Sequence, residues 1–191
     1  DARTAASIAM LEKLVAFDTV SRNSNLAFID YVRGLLGVHG IESRLVYNED
    51  RSKANLLATI GPMIAGGVVL SGHTDVVPID DQKWTSDPFK VVERDGRLYG
   101  RGTADMKCFL AIILGALDTL AKAPLKTPIH LAFSYDEEVG CLGAPSLIKF
   151  LNDNLPAPRA VVVGEPTDMA YARWSPAMNP TPHKPNAASA L

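Results

Sequence analysis

The sequence predicts an α/β domain: a mixed, mainly parallel sheet with helices on both faces and its acidic residues gathered at one edge. Three observations predict it. The runs Gly67-Val68-Val69-Leu70-Ser71, Ile129 to Ser134 and Ala160-Val161-Val162-Val163-Gly164 are short and continuously apolar, as strands buried on both faces are. Segments before and between them repeat apolar residues at helical spacing. Each run also ends in histidine or carboxylate: His73 and Asp75 after the first, Asp136-Glu137-Glu138 after the second, Glu165 after the third. Ligands in open α/β sheets bind beyond the carboxyl ends of parallel strands, so these ends, joined by Asp105 at the opening of a helix, are expected to converge on one crevice as a divalent metal centre.

Taken in order, Ile8, Leu11, Leu14 and Val15 mark a first helix with Thr4 as its N-cap candidate. Phe28, Ile29, Val32, Leu35 and Leu36 mark a second, closing near Gly37 or Gly40, where glycine accepts the left-handed cap conformation. His39 lies in that closing turn without acids around it and is set aside as a ligand. Ile41 to Tyr47 alternates and Asn55 to Ile60 is apolar, so two strands precede the run at Val68. The loop Val76 to Pro88 carries Trp84, which reads either as the wall of a pocket or as a plug for the loop. Arg94-Asp95-Gly96 between Val91-Val92 and Leu98-Tyr99 predicts a hairpin. That hairpin delivers the chain to Gly100-Arg101-Gly102-Thr103-Ala104-Asp105, and Phe109, Ile112, Ile113, Ala116, Leu117 and Leu120 predict a mostly buried helix after it. A carboxylate at a helix N-terminus is favoured by the dipole, so Asp105 alone reads equally well as a cap. Lys107 reads as a solvated helix residue or as a charge partner for the acids. His130, alternating into mid-strand, reads as a satisfied core or surface histidine rather than a ligand.

The chain of 191 residues, 47% apolar, is long enough for one sizeable core. A formal charge of -2 gives no reason to expect nucleic acid or an anionic membrane as partner. The start Asp1-Ala2-Arg3-Thr4 lacks a secretory pattern and no apolar run reaches a membrane span, so the cytoplasm is the default expectation. Cys108 and Cys141 are too few for a disulfide framework and are expected to be buried or inert.

Glu137-Glu138 is the sharpest chemical feature. Two adjacent carboxylates at the end of a buried strand repel one another unless a cation is near. Gly140 and Gly143 fix the turn that follows, and Pro145 suits the first turn of the next helix. Successive residues point different ways, so one carboxylate can hold a metal while its neighbour faces an attacking water as general base.

Four stretches, Ser71 to Pro78, Gly100 to Lys107, Asp136 to Gly140 and Gly164 to Thr167, together resemble the acetylornithine deacetylase and succinyl-diaminopimelate desuccinylase branch of the M20 metallopeptidase family. The acetylornithine deacetylase side is favoured by Trp84 to Phe89 and by Ser134 to Gly143. The resemblance implies a zinc-peptidase-like catalytic domain that removes an acyl group from an N-acyl amino acid, as from N2-acetyl-L-ornithine in arginine biosynthesis. Desuccinylase and aminoacylase activities are the alternatives within the family. It implies two zinc ions, with cobalt as a substitute: Asp105 bridging them, His73 and Glu165 completing one, Glu138 serving the other. Glu137 would be the general base and Asp75 would orient His73, a role with its own physical reason, since a metal-bound histidine usually donates its other ring N–H to a neighbouring carboxylate. Cys108 departs from the family's glycine and is expected either to crowd the helix start or to be accommodated.

The likeness covers about residues 5–168, so residues 1–168 are expected to form an incomplete metal-binding catalytic domain, without the lid and dimerisation domain that the resemblance implies for a family homodimer. Residues 169–191, interrupted by Pro176, Pro180, Pro182 and Pro185, read as an extended or disordered tail. His183 in that tail is a weak candidate for the second ion's histidine, with no strand before it. The rival to a deacylase is a remnant that holds metal or a partner without turnover.

Overall fold

The computed structural model describes residues 1–167; residues 168–191, which include the expected tail 169–191 and His183, lie outside the described residues. Five strands form one sheet in the order β1-β2-β6-β3-β7: β1 Ser43–Tyr47, β2 Ala54–Ile60, β3 Val68–His73, β6 Ile129–Ser134 and β7 Ala160–Val163. β1 with β2 and β2 with β6 run antiparallel, while β3 pairs parallel with both β6 and β7. The sheet is therefore mixed, and its parallel half is the half that carries the acids. A separate hairpin of β4 Val92–Arg94 and β5 Arg97–Tyr99 turns at Asp95 and Gly96, both at positive φ, as the Asp-Gly signal predicts.

Helices cover both faces. On one, α1 Ala2–Val15, α2 Leu26–Val38 and α3 Lys107–Gly115 bury Leu11, Leu14, Phe28, Val32, Leu110 and Leu114 against Leu56, Leu131 and Phe133 of the sheet. On the other, α5 Ala144–Asn154 sets Leu147 and Leu151 against Val69 and Ala132. The alternation along β6 makes this division: Leu131 and Phe133 face the larger core, His130 and Ala132 the smaller. The chain leaves β3 through α3 and a short α4, Leu117–Lys122, on one face, and leaves β6 through α5 on the other. Connections that part in this way open a crevice at the carboxyl ends of the strands between them.

Four local expectations change. Asp1, not Thr4, caps α1: its carboxylate accepts from the Thr4 N–H at 2.9 Å, a better geometry than a hydroxyl inside the first turn offers. Helix α3 starts at Lys107 with Met106 as N-cap and no side-chain cap, so Asp105 precedes the helix and does not cap it. The apolar stretch after it bends at Ala116 into α4, and Ile112 turns outward at 57% exposure. Strand β7 is not covered: Val161, Val162 and Val163 are 55%, 45% and 56% exposed, because β7 is the sheet's outer strand and no described element packs over it.

Among the described residues no helix is long and apolar enough to cross a membrane.

Candidate metal centre

The centre begins with backbone fit. Gly72 lets Met106 pack against β3: a Cβ there would lie 2.8 Å from the Met106 methyl and 2.9 Å from Leu110, and Met106 Sδ in turn accepts from the His73 N–H. Gly164 does the same for β7, since a Cβ would sit 2.0 Å from the Phe109 ring. Both glycines draw α3 down onto the strand ends, so that the residue before α3 and the residues after β3 and β7 meet.

His73 is the hub, 1% exposed. Its Nε2 lies 3.1 Å from Asp105 Oδ1, 3.7 Å from Glu165 Oε1 and 3.8 Å from Glu137 Oε2. Two three-donor groups result, His73 with Asp105 and Glu165, and His73 with Glu137 and Glu138, each with its ligand atoms within 4.8 Å of one another. The other ring nitrogen, Nδ1, faces Asp75 twice, at 2.9 Å from its backbone carbonyl and 3.5 Å from its carboxylate. The Asp75 carboxylate accepts the Ser21 hydroxyl at 2.6 Å and the backbone N–H groups of Glu137 and Glu138 at 3.0 and 3.3 Å. Asp75 thus touches both the imidazole and the turn that carries the two glutamates.

The electrostatics are those of an acid cluster. Burial, then the charge of Asp105, pushes Glu138 up to about 7. Burial likewise pushes Glu165 up to about 7, against the pull of His73 and with help from Asp105 and Glu137. Burial drags the His73 imidazole down, but hydrogen bonds to Asp105 and Asp75 and the charge of Glu165 outweigh it and lift the group to about 11. Burial would raise Asp75 too, and its contacts with His73, Ser21 and the Glu137 N–H hold it below the usual carboxylate range. One imidazole among carboxylates that resist ionising together is a donor set suited to a divalent cation.

The sequence-derived candidates separate as follows. His73, Asp105, Glu137, Glu138 and Glu165 come together. Asp105 and Glu138 share no three-donor group, although Asp105 is the leading charge acting on Glu138. Lys107 is neither solvated nor paired with the acids. It is fully buried, donates to the Phe17 carbonyl at 2.8 Å and lies 5.7 Å from the Phe28 ring centre, and burial lowers it to about 7. Cys108 is accommodated, half-buried with its thiol turned to the Ala104 carbonyl, whereas Cys141 is exposed, its Sγ 3.5 Å from Glu137 Oε1. Trp84 is held in its loop, its indole N–H on Gln82 and the Arg101 guanidinium 5.2 Å from its ring centre. Ser21 and Lys53 are absent from the sequence-derived set, because their neighbours in sequence carry no motif.

Residues 69–177, more than half of the chain, match the family model of peptidase family M20/M25/M40. The chain belongs to the M20 peptidase family. Within M20 it is 37% identical over 171 residues to an acetylornithine deacetylase of Pasteurella multocida (strain Pm70), an alignment spanning 86% of this chain and 44% of that protein. A second acetylornithine deacetylase, of Shigella sonnei (strain Ss046), is 46% identical over 123 residues, 64% of this chain and 31% of that protein. The chain thus spans less than half the length of these M20 relatives. The fold is shared with an M20 family metallo-carboxypeptidase, Sso-CP2, of Sulfolobus solfataricus (TM-score 0.71, 21% identity, 83% of this chain and 37% of that one). Human carnosine dipeptidase 1 shares it as well (TM-score 0.67, 24% identity, 82% and 38%).

Proposed function

We propose that this chain carries the metal-holding half of a deacylase centre, and that the activity it serves is the hydrolysis of an N-acyl amino acid, with N2-acetyl-L-ornithine as the favoured substrate. The observation that carries the reading is His73 Nε2 facing Asp105, Glu165 and Glu137 at 3.1 to 3.8 Å. Names of the relatives support the substrate.

In this reading His73, Asp105 and Glu165 hold one zinc ion, three protein donors being the usual number for a catalytic zinc that keeps one position open. Glu138 would serve a second ion. When bound, the metal polarises the acyl carbonyl and lowers the pKa of water from 15.7 toward ~7. The chain supplies the rest. Glu137 takes the proton of the attacking water and returns it to the departing amine, so amide and water become carboxylic acid and amine with the glutamate unchanged. Asp75 fixes the imidazole of His73 from behind and holds the Glu137 and Glu138 N–H groups in front. Cobalt, a borderline ion of the same charge, suits the same imidazole and carboxylate donors.

The test is Glu137→Gln, with zinc content and hydrolysis of N2-acetyl-L-ornithine measured on the same samples. Turnover should fall by at least 100-fold, as loss of a general base implies, with zinc retained. Loss of zinc with the rate unchanged would exchange the roles of base and ligand. Zinc bound by the unsubstituted chain with no turnover of any acylated amino acid would make it a metal-holding protein without activity of its own.

A further inference from the structure

The turn that carries Glu137 and Glu138 begins at Asp136, a non-glycine residue at φ 55°. Left-handed backbone is uncommon for any residue but glycine, though aspartate tolerates it better than most, so the contacts of the Asp136 side chain decide how firmly the turn is held. Here both carboxylate oxygens of Asp136 accept from Lys53 Nζ, at 2.6 and 2.7 Å, and the two side chains are only 11% and 13% exposed. Lys53 Nζ also donates to the backbone carbonyl of Ser21. The Ser21 hydroxyl donates to Asp75, whose carboxylate accepts the Glu137 and Glu138 N–H groups. The path closes on itself, from Asp136 through Lys53, Ser21 and Asp75 back to the peptide that follows Asp136.

Lys53 is itself fixed from three sides. Its backbone N–H donates to Asn48 Oδ1 and its carbonyl accepts from the Asn48 N–H, closing the turn between β1 and β2. The next residue, Ala54, exchanges two hydrogen bonds of 2.9 Å with the Asn25 side chain, which anchors the start of β2 to the same loop that carries Ser21. An ammonium with its acceptors in place and its stem immobilised is a rigid post, unlike a surface lysine.

We propose that Lys53 is a positioning residue for the metal centre. Through Asp136 and Ser21 it sets where the Glu137-Glu138 turn stands relative to His73, although it touches no metal donor. The inference rests on the reading of Glu137 and Glu138 given above. A buried ion pair that only stabilises the fold would lose stability on substitution but leave the donors' geometry alone.

The test is calorimetric zinc titration of the 191-residue chain, with the visible absorption spectrum of its Co(II) form as a second readout. Lys53→Met should weaken zinc binding by about 10- to 100-fold, the usual cost of removing a support behind a ligand, and alter the Co(II) spectrum. Lys53→Arg, which keeps charge and donors, should recover most of both. Because Lys53→Met leaves a buried carboxylate unpaired, the double variant Lys53→Met with Asp136→Asn removes that charge and should show the same weakened binding and altered spectrum. Unchanged affinity and spectrum in the double variant, with zinc uptake abolished in His73→Ala, overturns the role of Lys53 and leaves the centre standing. No zinc uptake by the unsubstituted chain, or uptake that His73→Ala does not reduce, overturns the centre itself.

Discussion

His130 is fully buried in β6, its Nδ1 2.9 Å from the Thr59 hydroxyl and its Nε2 without a hydrogen-bond partner among the described residues. Burial holds its pKa below the ordinary histidine value, so the folded chain resists taking up its proton more than the unfolded chain does. The unfolded chain binds the proton first as pH falls below ~6.5, and stability drops with it. Urea unfolding between pH 7.5 and 5 should show this loss, and His130→Leu should flatten it; an identical acid limb in both proteins would remove His130 as its source. The sequence placed this residue in mid-strand correctly and took it as satisfied, because alternation reports which face a side chain takes and says nothing about what it meets there. Lys107 was misjudged for the same reason: in the helix pattern it is one polar residue, and its burial follows from how α3 lies against Phe17 and Phe28. By contrast the convergence of His73, Asp105, Glu137, Glu138 and Glu165 was legible, since each ends or follows a pattern that is itself local. Ser21 and Lys53 were not, with partners 54 and 83 residues away.

Just past β7, Gly164 lies against Phe109 of helix α3, one residue before Glu165. Gly164 leaves room for the Phe109 ring, and any side chain there would overlap it. Overpacking of this kind usually costs 1–3 kcal/mol and is relieved by backbone shift, which here would carry Glu165 away from His73 and Asp105. Gly164→Ala is therefore expected to weaken zinc binding by about 10-fold or more with every donor still present. Adding Phe109→Ala should restore it. Undiminished binding in Gly164→Ala alone would mean that β7 does not locate Glu165. The sequence marks this strand as apolar but not as outermost. Strand order depends on which run pairs with which, and a buried-looking run of valines is the same run whether or not something covers it.

Across the whole molecule, the described residues offer one imidazole to two groups of acids. Zinc titration should accordingly resolve one tight and one weak event, with His73→Ala removing the tight one; two events of equal affinity would show that a further strong donor lies outside residues 1–167. Binding to the folded state alone adds about 2.7 kcal/mol at a hundredfold excess over Kd. For a chain of this length that is a rise in Tm of about 5–11 °C, absent in His73→Ala. The helices on both faces and the mixed sheet were readable from period and run length. The crevice was anticipated from strand ends alone, before the opposed exits of β3 and β6 were known to open it.

One consequence of the exposed strand concerns time. β7 hangs on β3 by a single ladder, with no described neighbour on its other side, so its amide hydrogens should trade with solvent far sooner than those of β2 or β6. Yet the residue just past it, Glu165, reaches to the middle of the cluster. A cation shared with His73 and Asp105 would fasten this outer strand to the end of β3, which lies inside the sheet between β6 and β7. Exchange at residues 160–163 should slow on adding zinc by a larger factor than at 129–134, and a uniform slowing would refute the idea. The metal would then act as a latch on the most mobile edge of the sheet, and the exchange clock of four valine-rich residues would read its arrival.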